Sequence, residues 1–210
     1  MRFKAAYPLL LLAVTAGTGT AQVYRADPDL VRADLLVDFE DRVDFLEVHN
    51  GVLDYGRVAF AEGFIGQKLM ERKGNDILKG APIGPLTLRV GQTNQNLMTL
   101  RDQLSGNTSL FGLGPDGPYS ADGVGAGAVS WMYARDASAV AFTLGRGGKG
   151  FAYVNFYRRD GTLIDSMKVR NAGGVYAFRA HRAEIAGVTI HNTTDAGLSI
   201  DDVIGEFGNE

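Results

Sequence analysis

The chain has no cysteine among its 210 residues, only six prolines and no low-complexity tract. Without cysteine, disulfide bridges and thiol nucleophiles are excluded. No apolar run approaches the roughly 20 residues that a membrane-spanning helix requires. Helical periodicity is scarce as well: residues 28–34 can hold a turn of helix, and residues 94–104 are either strand or short helix. These absences direct attention to a single β-rich domain without internal repeats.

The first 21 residues have the pattern of a secretory signal peptide. Arg2 and Lys4 give a positively charged start, residues 9–14 form a short apolar core, and residues 19–21 offer small side chains before a cleavage point. The alternatives are an uncleaved anchor or a buried N-terminal helix. We expect a secreted or periplasmic protein that has no stable membrane insertion after signal removal.

Basic residues are fewer than acidic residues in this sequence. Removal of residues 1–21 takes away Arg2 and Lys4 and no acid, which leaves 19 basic and 24 acidic residues. This balance argues against nucleic-acid binding, which needs clustered cations. It also has the wrong sign for an electrostatic membrane binder. We divide the rest of the chain into a lead-in at 22–34 and one domain at 35–208.

Glycine, by contrast, is abundant, with 28 residues or about 13% against a typical value of about 7%. The glycines separate short runs of β-branched and aromatic residues, which is typical of strands joined by tight turns. Asp160-Gly161 joins two such runs and suits a hairpin turn. The sequence therefore predicts an all-β fold, an antiparallel β-sandwich of the jelly-roll type. The predicted strands lie at 35–40, 57–61, 85–90, 128–134, 139–145, 151–158, 162–169, 175–180, 186–192 and 198–207.

Two adjacent carboxylates, Asp201 and Asp202, interrupt the apolar run LSIDDVIGEF at 198–207. Strand alternation places Asp202 on the face of Ile200 and Ile204, with Asp201 on the opposite face. A carboxylate on an apolar face would be partly buried and would need hydrogen-bond donors or a cation.

A second pair of acids, Asp38 and Glu40, lies in the first predicted strand. The first and last strands of a jelly roll often lie side by side, so either acid can meet Asp201 or Asp202. Calcium binds six to eight oxygen ligands and suits such a cluster, although no linear calcium-loop motif is present. In the alternative, Asp202 accepts backbone N–H groups and Asp201 protects a sheet edge.

Three stretches of the sequence resemble a known group of proteins. They are VDFED near the N-terminus, GFAYVNFYRRDGTLIDSMKV and VYAFRAHRAEIAGVTIHNTTDAGLSIDDV. The chain resembles secreted bacterial β-sandwich proteins, lectin-like or carbohydrate-module-like jelly rolls found among PEP-CTERM-type exported proteins. The resemblance implies a structural calcium, held first by Glu40 and Asp202 and then by Asp38 and Asp201. The chain ends at GEFGNE without the sorting tail of those proteins, so we expect a released protein.

Three other regions are candidates for ligand contact. The glycine-rich loop at 112–127 carries Asp116, Tyr119 and Asp122, which can bind a sugar, although a solvated connection is the alternative. Residues 71–80 are interpreted as a loop in which Asn75 and Asp76 form a turn. Tyr153, Asn155 and Tyr157 share one face of a strand, either as an aromatic platform or as the inner sheet face. Phe151 and Trp131 are expected in the core.

Together these features predict an exported, non-catalytic binding module for glycans or surface polymers. One alternative is a structural envelope or matrix protein. Another is a polysaccharide-active enzyme on a jelly-roll scaffold, which as a hydrolase would need two carboxylates about 5–10 Å apart in a cleft.

Overall fold

The computed structural model describes residues 22–145, 150–192 and 197–208. The predicted signal peptide at 1–21 lies outside the described residues. Within them, one 3-10 helix at Pro28–Leu30 accompanies a set of strands. The strands are β1 (Val23–Ala26), β2 (Leu35–Val37), β3 (Leu46–His49), β4 (Leu53–Asp54), β5 (Val58–Ala61), β6 (Gly63–Phe64), β7 (Lys68–Arg72), β8 (Asn75–Lys79), β9 (Leu88–Arg89), β10 (Leu97–Arg101), β11 (Thr108–Gly112), β12 (Val129–Gly145), β13 (Phe151–Tyr157), β14 (Leu163–Arg170), β15 (Gly174–Ala180), β16 (Ile185–Asn192) and β17 (Ser199–Phe207).

The predicted all-β, antiparallel class is confirmed, since every strand pair is antiparallel. The helical turn expected at 28–34 is the 3-10 helix, and the ambiguous segment at 94–104 contains β10. Gly161 has φ +85° in the turn between β13 and β14, as the Asp-Gly pair predicts. Among the described ranges, no helix has the length and apolar character needed to cross a bilayer.

The 17-residue strand β12 takes part in two layers of strands. Its first half pairs with β5 and β16, and its second half pairs with β15 and β17. Register irregularities between Met132 and Ala139 mark the change of partners. The first layer runs β14-β13-β16-β12-β5-β4, and the second runs β1-β15-β12-β17-β11-β10-β3, with β2 also on β17. The sequence predicted two strands here, at 128–134 and 139–145, whereas the structure continues one strand through residues 135–138.

Large aromatic side chains fill the space between the two layers. Trp131 in the first half of β12 meets Phe142 in the second half at 5.6 Å between ring centroids. Phe156 of β13 meets Phe178 of β15 at 5.1 Å. All four are fully buried, so the prediction of a core Trp131 is confirmed. Face-to-face packing of this kind is consistent with a β-sandwich, while the jelly-roll connectivity stays a prediction.

A buried hydrogen-bond chain ties the layers at Trp131. The indole Nε1 donates to the Tyr133 hydroxyl at 2.9 Å, and that hydroxyl donates to the Ile204 carbonyl at 3.1 Å. Trp131 and Tyr133 have no solvent exposure, so water cannot replace either bond. The hydroxyl therefore links β12 to β17 inside the core.

Tyr133→Phe should lower the free energy of unfolding by about 2 kcal/mol, because it leaves the buried indole N–H without an acceptor. Urea unfolding measures the loss. Tyr24→Phe is the matched control, since Tyr24 is 43% exposed and its hydroxyl makes no hydrogen bond within the described residues. Equal losses in the two variants would contradict the role of the buried chain.

Other residues pack against the outer face of the first layer. Phe64, Leu86, Tyr157 and Ala186 form a small buried cluster there. The hairpin of β7 and β8 stands beside this cluster as a separate two-stranded sheet. The packing is close, since a Cβ on Gly187 would lie 2.7 Å from the Phe64 ring. This hairpin and the sheet face beneath it enclose a groove.

Candidate functional site

Strand β13 separates core residues from a second, outward-facing set. Ala152, Val154 and Phe156 are buried in the core cluster. Tyr153, Asn155 and Tyr157 alternate with them and point away from that core, into a groove of about 550 Å³. The sequence did not decide whether Tyr153, Asn155 and Tyr157 lie on the inner or the outer face of the sheet. The structure places them on the outer face. Phe151 has the same phase and is 40% exposed, so its placement in the core was wrong.

We call this depression the sheet–hairpin groove. Its floor is the outer face of β13, β14 and β16, and its wall is the β7–β8 hairpin. The floor carries Tyr153, Asn155, Tyr157, Ser166 and His191, and the wall carries Arg72, Lys73, Ile77, Leu78 and Lys79.

Hydrogen bonds fix the polar groups of the floor. Asn155 donates from Nδ2 to Thr189 Oγ1 at 3.1 Å and accepts at Oδ1 from Ser166 Oγ at 2.6 Å. Gln67 Nε2 donates to the Tyr157 hydroxyl at 3.0 Å. Asn155 and Tyr157 are therefore oriented before any ligand arrives.

Tyr153 and His191 give the floor a flat aromatic surface. Their rings stack with centroids 5.7 Å apart and an interplanar angle of 20°. Burial lowers the pKa of His191 to about 4, so this ring is neutral at physiological pH. Its Nδ1 is buried without a hydrogen-bond partner in the part of the chain that the structure describes.

Sequence reasoning missed the wall of the groove. The segment interpreted as a loop at 71–80 belongs to the β7–β8 hairpin, whose tight turn is Lys73-Gly74. The expected turn at Asn75-Asp76 was wrong, since both residues are paired in β8. Lys73 and Gly74 both have positive φ, +54° and +73°, as a type I′ turn requires. The available signal was Lys-Gly between two short apolar runs, which is weaker than the usual Asn-Gly or Asp-Gly.

The predicted loop at 112–127 lies next to the groove. Asp116 and Asp122 line a smaller cavity of about 260 Å³, and Lys73 at the hairpin tip lines both cavities. Tyr119 is 87% exposed and does not line either one. The structure thus brings together two of the three residues predicted in this loop. Their role in ligand binding stays a prediction.

The closing strand β17 departs from regular alternation at Asp202. Thr143 is paired with Asp201 and Ala141 with Ile204, so β17 holds one extra residue, and Asp202 has φ +47°. This β-bulge puts Ile200 and Val203 in the core and leaves Asp202 exposed. The prediction that Asp202 shares the face of Ile200 and Ile204 was therefore wrong.

Asp201 is the buried carboxylate of the pair. Its Oδ2 accepts from Asn107 Nδ2 at 2.6 Å, and its Oδ1 accepts from the Asp202 N–H at 2.9 Å. Burial raises its pKa to about 6 against these donors, and the charges of Asp202 and Glu40 add to the rise. Hydrogen-bond donors therefore compensate the buried carboxylate of Asp201. The sequence analysis considered this arrangement for Asp202, as the alternative to a bound cation.

Asp38 and Glu40, predicted within a strand at 35–40, follow the end of β2 at Val37, and of the two only the charge of Glu40 acts on Asp201. Glu40 accepts from the Thr108 N–H at 2.8 Å and lies 3.8 Å from Arg101 Nη1. Asp38 is exposed and accepts from the Glu40 N–H at 3.2 Å. Within the described ranges, no group of three or more His, Cys, Asp or Glu side chains could hold a metal ion. Structural calcium stays a prediction.

A buried acid that sequence reasoning also missed lies beside a third cavity of about 460 Å³. Glu62 has no solvent exposure, and neither carboxylate oxygen has a hydrogen-bond partner among the described residues. The nearest cation is Arg89 Nη2, 4.0 Å away. Burial first, and then the charge of Asp76, raise the pKa of Glu62 to about 8, so its carboxyl is mostly protonated at neutral pH.

The comparisons with known proteins leave the chain to be interpreted from its own residues. No protein-family model, no curated protein and no solved structure gives a significant match. The resemblance to exported jelly-roll proteins therefore stays a prediction.

Proposed function

We propose that this chain is an exported, non-catalytic module that binds glycan chains in the sheet–hairpin groove. The observation that carries the proposal is the stacked pair of Tyr153 and His191 beside the fixed side chains of Asn155 and Ser166. The groove volume of about 550 Å³ falls within the range of small-ligand sites. Export rests on the signal-peptide pattern of residues 1–21.

The chemistry of the floor suits a sugar ring. The apolar C–H face of a pyranose packs against the exposed part of an aromatic ring, which supplies rigid contact area. Asn155 uses one amide hydrogen and accepts one hydrogen bond, so it retains a donor and an acceptor for sugar hydroxyls. Tyr157, whose hydroxyl accepts from Gln67, is almost fully buried and supports the floor beside Asn155.

Tyr153→Ala should weaken polysaccharide binding about tenfold, which corresponds to about 1.4 kcal/mol, because it removes the ring on which the sugar stacks. Affinity electrophoresis against a panel of soluble polysaccharides measures the change.

Tyr119→Ala is the matched control, because Tyr119 lies outside the groove and is the tyrosine that sequence reasoning favoured. Thermal unfolding establishes that both variants remain folded. If Tyr119→Ala abolishes binding and Tyr153→Ala does not, the ligand is held by the 112–127 loop and the groove assignment is wrong.

A further inference from the structure

The charged lining of the groove has one sign. Of the six charged residues between Lys68 and Lys79, three cations line the groove, namely Arg72, Lys73 and Lys79. No carboxylate lines it among the described residues. This is notable in a chain that has 24 acidic and 21 basic residues. The groove is therefore a positive site on a protein of net negative charge.

The hairpin itself gains little from this arrangement. Its register places Lys68 opposite Lys79 and Glu71 opposite Asp76, and like charges directly opposite each other destabilise a strand pair. Within the described ranges, no carboxylate oxygen lies within 4.0 Å of Arg72, Lys73 or Lys79. Their positions are thus not explained by ion pairs inside the fold.

We infer that the glycan held by the sheet–hairpin groove is anionic and carries carboxylate or sulfate groups that meet the cations of the hairpin wall. This inference rests on the proposed function and specifies its ligand. The arginine fork matches both carboxylate and sulfate geometry, and lysine supplies a point charge. A sugar ring on the Tyr153 floor can then direct its charged substituent toward Arg72 and Lys79 on the wall.

Matched pairs of polymers test the charge. Polygalacturonate is compared with its fully methyl-esterified form, and dextran sulfate with dextran, by calorimetric titration of the mature chain. At least one acidic polymer should bind ten times or more tighter than its neutral counterpart. Its affinity should fall at higher salt, because charges exposed in an open groove are screened. The two acidic arms distinguish carboxylate from sulfate.

Charge-removing variants locate the site. Arg72→Gln combined with Lys79→Gln should weaken binding of the acidic polymer tenfold or more, while binding of its neutral counterpart is unchanged. Arg25→Gln is the control, because it removes a positive charge from β1 in the other layer. The double variant should unfold at an equal or higher temperature than the parent, since it also relieves the repulsion between Lys68 and Lys79.

The possible outcomes distinguish failure of the charge inference from failure of the proposed glycan binding. Equal, salt-independent binding of neutral and acidic polymers would overturn the charge assignment and leave glycan binding intact. Failure of every polysaccharide in the panel to bind would overturn the proposed function itself. Binding of single-stranded DNA as tightly as polygalacturonate would show general polyanion attraction and overturn the inference. An equal loss of affinity for the acidic polymer in Arg25→Gln and in the double variant would also overturn the inference.

Discussion

Glu62→Gln should make the protein more stable than the parent at pH 9, by on the order of 4 kcal/mol, with the difference shrinking as the pH falls toward 4.5. The reason is that Glu62 is fully buried, has no hydrogen-bond donor among the described residues and lies 4.0 Å from its nearest cation. A glutamine has nearly the same shape and cannot ionise, so it removes the cost of burying a charge.

The direction of the pH dependence follows from proton binding. In the unfolded chain the Glu62 carboxyl ionises near its ordinary pKa of 4.5, whereas folding raises that pKa to about 8. Between these values the folded state binds more protons than the unfolded state. Stability of the parent must therefore fall as the pH rises through this window and stay low above it. Asp76, whose pKa burial raises to about 6, adds a smaller slope that remains in the variant.

Urea unfolding of both proteins at pH 5, 7 and 9 measures the effect as a widening gap between the two curves. Asp44→Asn is the control, because Asp44 is exposed and makes no hydrogen bond or ion pair within the described part of the chain. A gap that stays constant from pH 5 to pH 9 would show that Glu62 is solvated or firmly paired, contrary to its position in the structure.

The sequence predicts the fold class because strand periodicity is a local property. Alternation in β13 and the Asp-Gly turn that follows it are visible within a few residues. Long-range features are not visible in this way. The sequence analysis divided β12 into two strands, because its polar centre around Arg135 and Asp136 looks like a loop. In the structure, Asp136 instead receives two hydrogen bonds from Arg159, a partner that local pattern cannot supply.

The candidate site shows the same limit. Alternation places Tyr153 and Asn155 on one face, but it does not say whether that face is covered by the second layer or by solvent. The decision depends on the β7–β8 hairpin, which lies about 80 residues earlier and brings Arg72 and Lys79 over the sheet. Likewise, the bulge at Asp202 reverses the expected burial of the two aspartates, since Asp201 is buried and Asp202 is exposed. One inserted residue is enough to do so, because strand side chains alternate with a period of two.

Gly127→Ala should lower the free energy of unfolding by about 3 kcal/mol or more, at or above the upper end of the usual range for overpacking. A Cβ on Gly127 would lie 2.4 Å from the Leu113 carbonyl oxygen and 2.5 Å from the Leu113 backbone nitrogen. These atoms cannot rotate away as a side chain would, because the Leu113 N–H is bonded to the Asn96 carbonyl at 3.0 Å.

Gly51→Ala provides the matched comparison. Nothing lies within 4 Å of a Cβ at Gly51, and its φ is not in the left-handed region, so the change should leave stability equal or slightly higher. Equal stability of the two variants would mean that the base of the 112–127 loop is not packed as the structure shows.

The same variant also separates the loop from the groove. Gly127 closes the base of the loop that carries Asp116 and Asp122, whereas Tyr153 and His191 lie on the sheet floor. Below its unfolding midpoint, Gly127→Ala should therefore keep most of its affinity for polysaccharide. Loss of binding without loss of stability would instead place the principal contacts in the 112–127 loop, because only that segment would have moved.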